Sequence, residues 1–195
     1  TSTRSQGRCC RALARQHLPW DRVDVLLGDE RWVPADDPSS NARMLRESLL
    51  VAGQPAEQAR FHPVPTDLDS PEASAAAYAA LLEQLCPGSP PQLALVLLGL
   101  GDDGHTASLF PGTAAPAVRD RWTTIGEGKG LPRVTVTAPV LSAARRVIFL
   151  VSGSSKRQAL ARLLDGAEDP ARTPARLVQP AHEVLVLADQ AAAQP

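Results

Sequence analysis

The chain has 195 residues, 20 lysines and arginines against 21 acids, and a formal net charge of −1. That balance offers no global field to attract nucleic acid or an anionic membrane surface. Its longest apolar run, residues 93–100, is strand-sized and far short of the roughly 20 residues needed to cross a bilayer.

In chain order, a first helix is expected over residues 9–16, ending before Pro19, and then a strand over 23–27. Gly28-Asp29-Glu30-Arg31 breaks that apolar run with a glycine and charges. Ser40 or Asn41 caps a helix through Leu50 that Gly53 terminates. Residues 54–69 carry Pro55, Pro63 and Pro65 and read as a connection. Ser70-Pro71 opens an alanine-rich helix over 72–85, with proline where its missing N–H costs nothing. The apolar run 93–98 fits a strand buried on both faces. Residues 112–132 look irregular, with Lys129 between two glycines.

Strands are expected over 134–137 and 146–151, joined by too few residues for the dozen or so of a parallel crossover. Either they pair antiparallel or the short turn at 139–144 shifts the chain within the sheet. Ser154 caps a helix over 155–164 that Gly166 closes, and 184–187 forms a last strand. Strands alternating with helices predict a single Rossmann-like α/β domain over 1–195, a largely parallel sheet flanked by helices.

Three cysteines (Cys9, Cys10, Cys86), odd in number and without a Cys-x-x-Cys pair, give no disulfide framework and no zinc-site spacing. The histidines (His17, His62, His105, His182) lack the His-x-x-x-His spacing of a helical metal site, so no metal is expected. Arg8, Arg11 and Arg15 interrupt any signal-peptide apolar core. A soluble, cytoplasmic protein is therefore the default reading, and a monomer is the expectation for its oligomeric state.

The strand-to-loop segment Leu98–Gly112 concentrates the chemistry. Open α/β sheets place their sites at the carboxyl ends of strands, and here the strand delivers His105 onto a glycine-rich turn. Glycine permits positive φ and close backbone approach, so an N–H such as that of Gly104 can meet an anionic substrate. Asp102 and Asp103 read as setting the loop through side-chain to backbone bonds rather than as a carboxylate dyad.

Gly28-Asp29-Glu30-Arg31 with Val33-Pro34 and Ser40-Asn41 forms one motif, and Gly99-x-Gly101-x-Asp103-Gly104-His105-Thr106-Ala107-Ser108-Leu109-Phe110-Pro111-Gly112 a second. Arg133-Val134-Thr135-Val136-Thr137 through Pro139-Val140-Leu141 to Ala143-Ala144-Arg145 follows, then Leu177-Val178-Gln179-Pro180 and Asp189 with Ala191–Ala193. From about Trp20 to Ala193 the sequence resembles the 6-phosphogluconolactonases of the glucosamine-6-phosphate isomerase/6-phosphogluconolactonase superfamily.

The resemblance implies hydrolysis of 6-phospho-D-glucono-1,5-lactone without a cofactor, with His105 as general base for water. It implies that Asp29 orients the imidazole or binds substrate hydroxyls, that Arg31 holds an anionic or polar group, and that Lys129 and Arg133 take the phosphate. Glu30 reads as structural, as do Arg145 and Lys156, which also match family positions. Members usually begin with a helix and a strand leading to a Ser-Gly-Gly-Ser-Thr-Pro-like phosphate loop. Thr1–Gly7 lacks that sequence, so the N-terminal strand and helix are expected to be missing or diverged. Two other readings follow from the same scaffold and opening. One is a glucosamine-6-phosphate isomerase/deaminase-type enzyme, and the other a non-catalytic sugar-phosphate binder.

Overall fold

The computed structural model describes residues 2–128 and 130–194. Its parallel core is a sheet of β4 (Val96–Gly99), β7 (Arg146–Val151) and β8 (Glu183–Ala188) in that order. A second parallel pair joins β1 (Asp24–Leu26) to β3 (Arg60–His62). The third sheet is antiparallel, β2 (Asp29–Arg31), β6 (Leu131–Val136) and β5 (Thr123–Gly128). Helices α1 (Ser2–Ala14), α2 (Asn41–Ser48), α3 (Pro71–Leu85), α4 (Ala138–Ala143), α5 (Arg157–Leu164) and α6 (Gln190–Ala193) complete the order. The expected α/β class with mostly parallel strands is what forms, divided between two parallel sheets with an antiparallel one beside them.

The apolar runs explain the core. Val147 and Phe149 of β7 are almost fully buried against Val96 and Leu98 of β4 and the helices over them. Ser70 accepts from Ala73 N at 3.1 Å, so α3 starts where the Ser-Pro pair places it. Ser40, not Asn41, caps α2, accepting from Arg43 N at 3.1 Å. Buried Tyr78 of α3 closes the end of β1, its hydroxyl donating to Leu27 O at 3.0 Å and accepting from Leu27 N at 2.7 Å.

Several sequence expectations are corrected. Residues 123–128, read as irregular, form β5, and the connection 54–69 contains β3. The strands now called β6 and β7 do not pair; α4 between them carries the chain from the antiparallel sheet into the parallel one. The first helix begins at Ser2, well before residue 9. Ser154 makes no capping bond, because the chain enters α5 through a 3-10 turn, Ser154–Lys156. Leu95, expected inside a buried strand, lies before β4 and is exposed.

Three strand ends matter for chemistry. β1 leads into residues 27–28 and then β2, β4 into 100–105 and β7 into 152–156, so all of these segments leave the carboxyl ends of parallel strands.

Candidate active site

After β4 ends at Gly99 the chain turns at once. Gly101 N donates to His105 O at 2.8 Å and Gly104 N to Gly101 O at 3.0 Å, closing the turn. Thr106 Oγ1 donates to Gly99 O at 2.8 Å and pins the loop to the strand end. Within it, Asp103 Oδ1 accepts the His105 amide at 3.0 Å and pairs with the ring Nδ1 at 2.5 Å. A carboxylate on Nδ1 fixes the tautomer that leaves a lone pair on Nε2. Among the described residues Nε2 has no partner, and the side chain is 14% exposed, sheltered yet reachable.

Burial pushes the Asp103 carboxyl up, but hydrogen bonds from the His105 ring and amide outweigh it and leave it at about 2. An acid depressed in the folded state stabilises the fold above its unfolded value, about 4, and loses that contribution as pH falls toward the folded value. Melting temperatures of the wild type and Asp103→Asn should therefore converge as pH drops from about 4 to about 2. A constant gap across that window would contradict the pairing. Asp24, depressed by Arg60 and then His62, is common to both proteins and cancels in the comparison.

The second part of the site is β2, three polar residues that form a strand only because β6 pairs with them. Alternation along the strand puts Asp29 and Arg31 on one side and Glu30 on the other. Glu30 is 1% exposed. Its Oε1 accepts the amides of Arg31 at 2.8 Å and Asn41 at 2.7 Å, and its Oε2 accepts Ala42 N at 2.7 Å and Ser40 Oγ at 3.0 Å. Burial raises this carboxyl against the downward pull of those bonds. The first turn of α2 is thereby clamped to β2, and the structural reading of Glu30 fits this geometry.

On the other side, Asp29 Oδ2 accepts from buried Ser108 Oγ at 2.6 Å and lies 3.6 Å from Arg133 Nη1. Arg31 stands directly opposite Arg133 in the β2–β6 ladder. Burial and then the facing Arg31 push the Arg133 guanidinium down, while Asp29 holds it up. Arg31 is partly exposed and Arg133 is buried, two positive charges on one side of the β2–β6 ladder that suit an anion. The Arg133 guanidinium also sits 5.5 Å from the Phe110 ring centroid, and Phe110 lies 4.3 Å from the His105 ring, tilted 37°. His105, Phe110, Arg133, Asp29 and Ser108 thus form one contiguous cluster.

Glycines make the room. A Cβ on Gly101 would overlap the His105 ring, one on Gly128 would overlap Phe110, and one on Gly126 would come 2.5 Å from Ser108 O. Gly104, at φ +92°, lies against Thr173, and its carbonyl accepts from Ala175 N at 3.0 Å.

Of the expected site residues, the structure brings His105, Asp29, Arg31 and Arg133 together. Lys129 lies outside the described residues. Gly104 is beside His105, but its N–H and carbonyl are both spent inside the fold, so its observed part is to shape the turn. The carboxylate orienting the imidazole is Asp103 rather than Asp29; the i, i+2 spacing in Asp-Gly-His was its sequence signal, read as backbone bonding alone. Asp102 points elsewhere, to Lys156, which is 4% exposed and held as its ion pair. Arg145 bonds Gln92 at 3.2 Å on the surface, away from this cluster.

The profile of the family described as glucosamine-6-phosphate isomerases/6-phosphogluconolactonase matches residues 4–187. The chain belongs to this family. A 6-phosphogluconolactonase of Synechocystis sp. is 47% identical over 186 residues, 94% of this chain and 77% of that protein. The solved 6-phosphogluconolactonase of Trypanosoma brucei superposes with a TM-score of 0.82 at 29% identity, covering 96% of this chain and 81% of that one. A monomeric glucosamine-6-phosphate deaminase gives a TM-score of 0.80 at 21% identity over 96% of this chain and 82% of its own. That last likeness is one of fold. The family resemblance read from the motifs holds, and no helix among the described residues is long and apolar enough to cross a membrane.

Proposed function

We infer that this chain hydrolyses 6-phospho-D-glucono-1,5-lactone to 6-phospho-D-gluconate, the lactonase step of the oxidative pentose phosphate pathway. Lactonase relatives at up to 48% identity support the reaction. The observation that carries the mechanism is the His105 ring, with Nδ1 committed to Asp103 and Nε2 without a partner among the described residues.

In this reading His105 Nε2 takes a proton from water as the water oxygen bonds to C1, and the carbonyl electrons move onto its oxygen. Asp103 stabilises the imidazolium so formed. Collapse of the oxyanion breaks the bond from C1 to the ring oxygen, which receives the proton from His105. The product acid then ionises. Arg31 and Arg133 hold the anionic end of the substrate, with Lys129 joining them by family resemblance, and Asp29 meets sugar hydroxyls. No organic cofactor or metal enters this scheme. The enzyme is read as a single-domain cytoplasmic monomer acting on a small molecule.

The test supplies freshly generated lactone coupled to 6-phosphogluconate oxidation, and glucosamine 6-phosphate in parallel. Accelerated 6-phosphogluconate formation with no ammonia is the expected result. Ammonia release would assign the deaminase chemistry instead. Saturable binding of 6-phosphogluconate without faster lactone decay would leave only a binder.

A further inference from the structure

Asp29 and Arg31 are two residues apart on one face of β2, with opposite charges and nothing in the backbone to keep them separate. A long guanidinium side chain so placed would fold back onto the carboxylate. That would neutralise both groups before any substrate arrived. No ion pair joins them among the described residues. Asn41, the first residue of α2, stands between: its Nδ2 donates to Asp29 O at 2.7 Å and to Asp29 Oδ1 at 3.3 Å, while its Oδ1 accepts from Arg31 Nη1. With Ser108 and Arg133 on Oδ2, Oδ1 keeps one lone pair for a sugar hydroxyl.

We propose that Asn41 is a positioning residue that holds Asp29 and Arg31 apart as separately charged groups and keeps the remaining Arg31 donors aimed at the substrate anion. The inference rests on the proposed role of Arg31 in substrate binding. A carboxamide suits the task because one short planar group carries both a donor and an acceptor. Aspartate has the shape but no donor, and it would set a second carboxylate against Asp29. The helix is not what Asn41 holds by its side chain. Ser40 caps α2, and the Asn41 amide is bound by Glu30.

The experiment is a double-mutant cycle read in lactonase kcat and KM, using Asn41→Asp, Arg31→Ala and the double variant, with melting temperatures measured alongside. An acid in the first helical turn is favourable and offsets part of the repulsion from Asp29, so Asn41→Asp should stay folded with a melting temperature only modestly below the wild type. Losing bonds to charged partners should lower kcat/KM about 10- to 100-fold, chiefly through KM. In the Arg31→Ala background the same change should cost less than about 3-fold. Asn41→Ala serves as a second variant and should behave alike. Full activity of Asn41→Asp, or equal losses with and without Arg31, would overturn the inference while leaving the site reading intact. Wild-type kcat/KM in Arg31→Ala alone would overturn the site reading and the inference with it.

Discussion

Gly101→Ala should cost as much lactonase activity as removing the imidazole itself, roughly 10²- to 10⁴-fold in kcat, the range of a general base. The added Cβ would fall on the His105 ring and 2.5 Å from Asp103 Oδ1, so the pair must separate or the loop must shift. Neither neighbour has slack. Asp103 is tied to the His105 amide, and the loop is closed by the Gly101–His105 and Gly104–Gly101 bonds. The substitution adds one methyl group at a loop position with no charge of its own. Steady-state rates with fresh lactone measure the effect, and circular dichroism checks that the sheet persists. Gly101→Ala within about 3-fold of the wild type would mean that the observed His105–Asp103 geometry is not what catalysis uses.

The largest stability effect should come from Glu30. Truncation to alanine orphans the amides of Arg31, Asn41 and Ala42 and the Ser40 hydroxyl, all of which point at this carboxylate. Each buried unsatisfied donor costs about 1–3 kcal/mol. Some of these amides reach water after truncation, so Glu30→Ala should lose roughly 3–5 kcal/mol. For a chain of this size that lowers the melting temperature by about 10 °C. Glu30→Gln should lose less, since its amide oxygen can still accept two of the bonds. Differential scanning calorimetry measures both. Because the first turn of α2 would loosen from β2, activity of Glu30→Ala should fall as well, through Asn41 and Arg31.

The elements legible in the sequence are those whose signal is local. The apolar runs of β4 and β7, the Ser70-Pro71 start of α3 and the glycine-rich turn before His105 each announce themselves within a few residues. β2 does not. Asp29-Glu30-Arg31 has no strand propensity, and only the ladder to β6 and the clamp on α2 make it extended. β5 was hidden by Gly126 and Gly128, which read as loop residues. They are glycines because Ser108 and Phe110 press onto that strand, a reason visible only once the hairpin lies under the His105 loop.

The site divides the same way. His105, Asp29, Arg31 and Arg133 were found by motif, and they converge. Asp103 was legible as a loop-setting acid, but its bond to the ring depends on the fold of the turn. Asn41 was legible as a possible cap and as a member of the first motif, but not for what its side chain holds, because its partners lie ten and twelve residues earlier on a strand the sequence did not disclose.

The most direct measurement compares the wild type with His105→Ala in the coupled assay, using lactone generated in the cuvette and subtracting spontaneous hydrolysis. A drop in kcat of about 10²- to 10⁴-fold, with KM changed little and melting temperature retained, is the expected result. A His105→Ala variant turning over lactone within about 2-fold of the wild type would show that another group activates the water.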